Sequence, residues 1–165
     1  MNKIKAKISG INKRQLYFSF LVLLFWGTFA AYYPFGVVIL QEKGFFEALE
    51  TLCTRFQTRY GLEIIFRFQG DETKVDQQTQ LVLYRVLQEA LHNIVKHAQA
   101  TKAQVILTVP DTGMLRAKIE DNGVGFDVSK PISTGQFGLA GMEKRITEVN
   151  GAFSINSVPG KGTTI

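Results

Sequence analysis

The stretch "EALHNIVKHAQA", residues 89–100, combines a helical apolar pattern with a row of polar side chains. Asn93 lies four residues after Glu89, and Lys96 and His97 lie three and four residues after Asn93. In an α-helix this spacing places side chains on one face. A solvated helix face would produce the same row, so the stretch by itself leaves a structural and a functional interpretation open.

The residues before this stretch extend the same helix. Asp76 is a suitable N-cap, and we predict one helix over residues 76–98. Its buried stripe follows the helical period and consists of Leu83, Leu87, Ala90, Leu91, Ile94 and Ala98. Glu89 and Asn93 lie to one side of that stripe. They are therefore expected at the edge of whatever surface the helix packs against.

The rest of the body mixes helices with strands. Helices are predicted over 45–60, ended by Gly61, and over 138–150, with Gly151 as the C′ residue. Strands are predicted at 62–68, 103–109, 114–120, 152–158 and 163–165, with turns at 110–113 and 159–162. Hairpins imply antiparallel pairing, so the predicted fold class is α/β. The expected architecture is a two-layer sandwich, in which helices cover one face of a mixed, mostly antiparallel sheet.

Charge and cysteine content exclude several classes of protein. Five basic residues precede position 16, whereas the remainder of the chain carries 14 basic and 14 acidic residues. A nucleic-acid-binding protein would carry its basic residues in the folded body, so direct nucleic-acid binding is not expected. Cys53 is the single cysteine, which excludes an internal disulfide and argues against a structural zinc site.

The N-terminal part of the chain is strongly apolar. Residues 16–40 contain no charged side chain, and about 20 apolar residues suffice to span a bilayer. Because Pro34 and Gly36 weaken the second half, we predict a transmembrane segment at 16–32, following the basic N-terminus, and a linker at 33–44.

Two other interpretations of the apolar segment remain open: a cleaved secretory signal, and a remnant of truncation or fusion. The basic residues that precede the segment would hold the N-terminus in the cytoplasm and direct the body outside the cell.

Two glycine-rich stretches follow the central strands. "DNGVGFD", residues 121–127, does not fit a dinucleotide fingerprint, because Val128 stands where the third glycine is needed. "GQFGLAGM", residues 135–142, opens a helix. Glycines there allow backbone N–H groups to approach an anion at the helix N-terminus.

Four motifs occur together in one order: "RVLQEALHNIVKHAQA", "IEDNGVGFD", "GLAGMEKR" and "SVPGKGTT". In this order they resemble the GHKL ATPases, which have the Bergerat fold. More narrowly, they resemble the ATP-binding catalytic domain of bacterial sensor histidine kinases paired with LuxR-type response regulators. The resemblance covers about residues 33–165, with the ATP-binding domain at 45–165, and it implies binding of ATP with Mg²⁺.

The resemblance implies roles for the polar row of the first helix motif. Asn93 would ligate Mg²⁺, which bridges phosphate oxygens of ATP. Glu89 matches the position that acts as general base in hydrolysing relatives. Lys96 would contact a phosphate as a point charge. His97 would either meet a phosphate or pack at the helix end.

The later motifs supply the purine site in the family. By resemblance, Asp121 accepts a hydrogen bond from the adenine amino group, and Thr163 supports this contact. Gly123 and Gly125 allow the backbone to pass close to the nucleotide.

Residues 126–137 would form a mobile lid over the nucleotide. Gly138, Leu139 and Gly141 would contact the nucleotide, the glycines cradling its phosphates. Arg145 would either meet phosphate or form a surface ion pair.

The chain departs from the family in its histidines. Its two histidines, His92 and His97, both fall in the helix of the ATP site, whereas the family's phosphoacceptor stands on a helical hairpin upstream. We therefore expect the acceptor hairpin to be supplied in trans and the chain to be truncated or rearranged, with its last strand cut short.

An ATP-binding domain also belongs in the cytoplasm, whereas the basic residues before the apolar segment would direct the body of the chain outside the cell. The expected location is a membrane association with the ATP-binding domain cytoplasmic, or a wholly cytoplasmic chain. Two alternatives to a kinase domain remain: a non-catalytic nucleotide-binding regulatory module, and a GHKL ATPase or serine kinase.

Overall fold

The computed structural model describes residues 40, 44–129 and 136–165, without the side chains of 136 and 137. The predicted transmembrane segment at 16–32 and most of the linker at 33–44 lie outside the described residues, so both stay predictions. Among the described helices, none combines the length and the apolar composition that crossing a membrane requires.

The first helix, α1 (Phe45–Tyr60), forms where an apolar face recurs with helical period. Leu49 and Phe56 on that face are buried. Gly61 ends the helix in the left-handed conformation, with φ 68°, and its N–H donates to the carbonyl oxygen of Gln57 at 2.9 Å. The predicted stop at Gly61 is confirmed, since glycine adopts this conformation without steric cost.

The described residues form a five-stranded sheet, whose strands in chain order are β1 (Glu63–Gly70), β2 (Lys102–Val109), β3 (Arg116–Asp121), β4 (Asn156–Ser157) and β5 (Thr163–Thr164). Across the sheet the strands lie in the order β1–β2–β3–β5–β4. β1 and β2 are parallel, while the other three pairings are antiparallel. The predicted mixed, mostly antiparallel sheet is therefore confirmed. The parallel pair requires a long crossover, which the second helix supplies.

One face of the sheet carries the core. Along β2 the side chains of Ala103, Val105, Leu107 and Val109 are buried and alternate with more exposed neighbours. The largest fully buried side chains come from all three main helices and β2, and they are Phe45, Leu49, Leu91, Met142 and Val105. Helices thus cover this face, as predicted for a two-layer α/β sandwich.

The lone cysteine belongs to this core. Cys53 is 2% exposed, and burial raises the pKa of its thiol to about 12. Because the thiolate is the reactive form, Cys53 is a packing residue rather than a nucleophile.

The second helix departs from a single continuous α-helix. It is α-helical over Gln77–Asn93 (α2) and continues as a π-helix over Ile94–Ala98. The prediction of one regular helix over 76–98 is wrong for its last five residues. A π-helix needs more residues for each turn, so the side chains after Asn93 turn away from their α-helical angles. The segment ends at Gln99, which has φ 51°.

The third helix, α3 (Gln136–Glu148), begins two residues before the predicted 138. Its end follows a Schellman motif: Gly151 N–H donates to Ile146 O at 2.9 Å, and Asn150 N–H donates to Thr147 O at 3.0 Å. Asn150 has φ 57°. The C′ residue is therefore Asn150, and its assignment to Gly151 is wrong by one position.

The last strands are shorter than predicted. Of the predicted strand at 152–158, only Asn156 and Ser157 pair as β4, with Thr164 and Thr163 of β5. β3 begins at Arg116 rather than 114, and Met114 is 65% exposed. The predicted turn at 110–113 is present, with Gly113 N–H donating to Pro110 O at 2.9 Å.

The N-cap of α2 can be tested by mutation. The Asp76 carboxylate accepts hydrogen bonds from Thr79 N–H at 2.9 Å and from Thr79 Oγ1 at 2.6 Å. Asp76→Ala leaves the first turn uncapped, so we expect the free energy of unfolding in urea to fall by about 1 kcal/mol. Asp111→Ala is the control, since it removes an exposed carboxylate whose ion pair with Lys74 contributes little. Equal effects of the two substitutions would contradict the assigned cap.

Candidate functional site

A cavity of about 190 Å³ lies between the end of α2, the ends of β3 and β5, the start of α3 and the loop after β3. Its wall is mainly apolar. The apolar side chains on it are Ala90, Ile94, Ala98, Ile119, Val124, Phe126, Leu139, Ile155 and Ile165. The polar side chains are Asn93, His97, Asp121 and Thr163. A concave apolar pocket with few convergent polar groups is the usual form of a small-molecule site.

Asp121 is the buried carboxylate of this cavity. It ends β3 and is 7% exposed. Its Oδ1 accepts a hydrogen bond from Gly123 N–H at 2.8 Å, and the backbone N–H of Thr163 also donates to the carboxylate. Burial raises the pKa of Asp121, and the two N–H donors partly offset this increase. The carboxylate is therefore fixed in place with acceptor capacity to spare.

The next two residues hold the loop in position. Asn122 points away from the cavity, and its carboxamide oxygen accepts hydrogen bonds from Thr101 N–H and Lys102 N–H at 3.0 and 2.9 Å. Gly123 packs directly on Ala98, so a Cβ there would collide with the Ala98 carbonyl oxygen. That same oxygen accepts a hydrogen bond from Val124 N–H at 2.8 Å. Glycine is thus required at 123 for the loop to meet the end of the helix.

Gly125 is required for a different reason. It has φ 58°, and a Cβ there would collide with the Val158 carbonyl oxygen. Glycine adopts this backbone conformation without strain. The loop after β3 therefore packs tightly against the segment between β4 and β5.

Glu89 and Asn93 come together beneath the start of α3. Both side chains are partly buried. A Cβ on Gly138 would lie 2.6 Å from Glu89 Oε1 and 3.2 Å from Asn93 Nδ2. Gly138 lies in the first turn of α3, where backbone N–H groups lack intrahelical acceptors, and Leu139 follows it. The acid–amide pair and these N–H groups form one end of the site.

The π-helical turn separates the two basic residues of the row. His97 is exposed and lies on the cavity wall, whereas Lys96 is exposed and is absent from the described wall. Gly141 is also absent from that wall, and a Cβ on it would lie 3.2 Å from Arg145 Nη1. Of the predicted site residues, Asn93, His97 and Asp121 thus lie on the cavity wall, whereas Lys96 and Gly141 do not.

His92 has a structural position. Its ring packs edge-on against Phe56 with centroids 4.9 Å apart, and its Nδ1 lies 2.9 Å from the Gln88 carbonyl oxygen, to which it donates. Burial lowers the pKa of His92, which favours the neutral ring. His92 is therefore a packing residue between α2 and α1.

Several residues of the site could not be selected from the sequence. Ser157 is 6% exposed and bonded to both Thr163 and the loop after β3. Gly162 has φ 76°, and a Cβ on it would collide with the Asp121 carbonyl oxygen. The motif "SVPGKGTT" contains both residues, but nothing in its pattern distinguishes them from turn residues. Of the predicted lid at 126–137, residues 130–135 lie outside the described part.

Residues 78–165 match the family described as histidine kinase-, DNA gyrase B- and HSP90-like ATPases. The chain belongs to this family. The predicted membership and the predicted GHKL fold class are thereby confirmed, and the cavity lies in a nucleotide-binding domain of the family.

Two relatives of the chain are sensor histidine kinases. The sensor histidine kinase LiaS of Bacillus subtilis is 35% identical over 128 residues, which cover 78% of this chain and 34% of LiaS. The sensor histidine kinase MctS of Rhizobium johnstonii is 37% identical over 129 residues, which cover 77% of this chain and 28% of MctS. The chain therefore spans about a third of the length of these relatives.

A solved structure shows the same fold. The blue-light-activated histidine kinase of Erythrobacter litoralis superposes with a TM-score of 0.58 at 20% identity, covering 72% of this chain and 39% of that protein. At this identity the likeness concerns the fold alone.

The buried carboxylate predicts a pH dependence. Because the pKa of Asp121 is raised in the folded chain above its ordinary 3.8, the folded chain keeps a proton that the unfolded chain loses first. The free energy of unfolding should therefore fall as pH rises from that ordinary pKa through the raised one. Asp121→Asn removes this contribution, so the variant should gain stability relative to the wild type as pH rises.

Urea unfolding between about pH 3.5 and 7 measures the effect, within the range where carboxylates titrate. Asp111→Asn, at an exposed turn, is the control and should follow the wild type. A constant difference between wild type and Asp121→Asn over this range would contradict the prediction.

Proposed function

We propose that this chain is the ATP-binding catalytic domain of a sensor histidine kinase, which binds Mg-ATP in the cavity for transfer of the γ-phosphoryl group to a histidine supplied in trans. The observation that carries the proposal is the fixed Asp121 carboxylate in an apolar cavity, with an acid–amide pair and a helix N-terminus at the other end. One end suits a purine, and the other suits phosphates.

The purine end combines apolar walls with one specific acceptor. Ile94, Ile119 and Leu139 supply flat apolar contact for a base. Asp121 already accepts hydrogen bonds from the backbone at Gly123 and Thr163. Its remaining acceptor capacity would receive the amino group of adenine, which supports the proposed adenine contact of Asp121.

The phosphate end lies beneath α3. The N–H groups of the first turn, including that of Gly138, favour an anion because they lack intrahelical acceptors and because of the helix dipole. His97 on the cavity wall and the more distant Lys96 would add positive charge. Gly141 lies one turn further along, so its proposed contact with phosphate requires the nucleotide to extend beyond the cavity wall.

The side-chain oxygen atoms at this end are suitable ligands for Mg²⁺. Asn93 offers a carboxamide oxygen and Glu89 a carboxylate, and Mg²⁺ prefers such oxygen ligands. Among the described residues no group of three or more His, Cys, Asp and Glu side chains could hold a metal, and Mg²⁺ bound with nucleotide needs few protein ligands because phosphates and waters complete its coordination. When bound, the ion would neutralise charge on the phosphates.

Phosphoryl transfer would depend on positioning. Asn93 and the start of α3 would orient the phosphates, and Glu89, beside Asn93, would act as general base for the attacking group. The packing of His92 against Phe56 makes it unsuitable as the acceptor. We therefore propose that an acceptor histidine on a separate helical hairpin approaches the phosphate end.

The wider setting belongs to the same proposal. A LuxR-type response regulator would receive the phosphoryl group from the acceptor histidine, as the motifs that resemble that branch suggest. The apolar segment at 16–32 would anchor the chain to the membrane, with the ATP-binding domain in the cytoplasm.

Nucleotide binding can be tested by calorimetric titration of Mg-ATP into the purified 165-residue chain. Asn93→Ala removes the proposed ligand oxygen, so we expect affinity to fall about 10- to 100-fold, the usual effect of losing a bond to a charged partner. Asn156→Ala is the matched control, because Asn156 is exposed on β4. If neither the wild type nor the control bound Mg-ATP, the proposal would be wrong.

Transfer can be tested by adding the acceptor hairpin of a related sensor histidine kinase and γ-labelled ATP. We expect acid-labile label on the hairpin, and none on a hairpin whose histidine is replaced. Asn93→Ala should abolish the label, while Asn156→Ala should preserve it. ATP binding without label on several hairpins would instead favour a non-catalytic module, and steady release of free phosphate would favour an ATPase.

A further inference from the structure

Ser157 forms a buried hydrogen-bond network with Phe126 and Thr163, which lie on the cavity wall. Its hydroxyl accepts a hydrogen bond from Phe126 N–H at 2.9 Å. It also lies 3.0 Å from the Gly162 carbonyl oxygen and 3.0 Å from Thr163 Oγ1. Ser157 is 6% exposed, so these groups depend on one another for their hydrogen bonds.

Counting hydrogens assigns the direction of each bond. A hydroxyl carries one hydrogen and two lone pairs. The Gly162 carbonyl can only accept, so the hydrogen of Ser157 points towards it. Phe126 N–H occupies one lone pair of Ser157 Oγ, which leaves the other lone pair for Thr163. The hydrogen of Thr163 Oγ1 is therefore directed at Ser157.

This assignment changes what Thr163 offers to a ligand. Its Oγ1 presents only lone pairs to the cavity, although a threonine hydroxyl ordinarily donates or accepts. Thr163 lies directly opposite Asp121 in the β3–β5 pairing and lines the same cavity. An ionised carboxylate is also an acceptor. Two neighbouring acceptors therefore face the same part of any bound base.

We propose that Ser157 is a positioning residue that makes the cavity select a 6-aminopurine over a 6-oxopurine nucleotide, by holding the Thr163 hydroxyl as an acceptor. The inference rests on the proposed ATP function and extends it to base selectivity. An amino group can donate to this pair of acceptors. A 6-oxo group would place a further acceptor against them and lose its hydrogen bonds to water.

The test compares Mg-ATP with Mg-ITP, whose base carries oxygen at position 6, by titration into the 165-residue chain. The wild type should bind ATP at least about tenfold more tightly than ITP, as a site with a buried mismatched polar group discriminates strongly. In Ser157→Ala the Thr163 hydroxyl can rotate and donate to the 6-oxo group. The ratio of the two affinities should then fall about 3- to 10-fold, the value of one hydrogen bond.

The ratio separates positioning from a general loss of structure. Ser157→Ala also leaves Phe126 N–H and the Gly162 carbonyl without their partner. It should therefore lower the stability of the fold and can weaken the binding of both nucleotides alike. Only a change in selectivity reports the orientation of Thr163. Ser154→Ala, at an exposed serine, is the matched control and should keep the wild-type ratio.

A second variant of Ser157 keeps the test decisive. Ser157→Cys retains the side-chain shape but hydrogen-bonds weakly, so its ratio should fall in the same direction if Ser157→Ala fails to fold. Unchanged selectivity in folded Ser157 variants would overturn the inference and leave the ATP proposal intact. A wild type that binds both nucleotides equally would also overturn the inference, and one that binds neither would overturn both proposals.

Discussion

The contact between the end of the second helix and the loop after β3 determines the geometry of the site. The Ala98 carbonyl oxygen accepts a hydrogen bond from Val124 N–H, and Gly123 lies against the same residue without room for a side chain. This contact joins the helix that carries Asn93 to the strand that carries Asp121. Without it, the apolar walls would still form, but the two polar ends of the cavity would not hold a fixed separation.

Two local features of the site are unfavourable for folding but hold its polar groups in place. The π-helical turn at Ile94–Ala98 departs from regular helix, and such turns often occur at functional sites. Asp121 is buried as a carboxylate, which raises its pKa and opposes folding at neutral pH. Both features lie beside the cavity. The well-packed core around Leu49, Leu91 and Met142 supplies stability that can offset them.

The predicted helices and strands agree with the structure where side-chain pattern controls folding. The apolar period of α1, its stop at Gly61, the Asp76 cap and the turn at 110–113 all follow from local chemistry. The predictions differ from the structure where strand pairing and backbone hydrogen bonds, rather than side-chain pattern, decide the local conformation. Residues 152–155 have strand-like composition but no place in the five-stranded ladder, and the αL residue after α3 is Asn150 because the hydrogen bonds to Ile146 and Thr147 select it.

By itself, the sequence determined the fold class, because the patterns of helices and strands are local. The resemblance of four ordered motifs to a known family indicated the family and the residue types of the site. Only the tertiary structure decided which of these residues meet. It placed His97 on the cavity wall and Lys96 away from it, since the π-turn rotates them differently from an α-helix. It also brought Ser157 to Thr163 across a turn, and a one-dimensional pattern does not encode such a contact between hydroxyls.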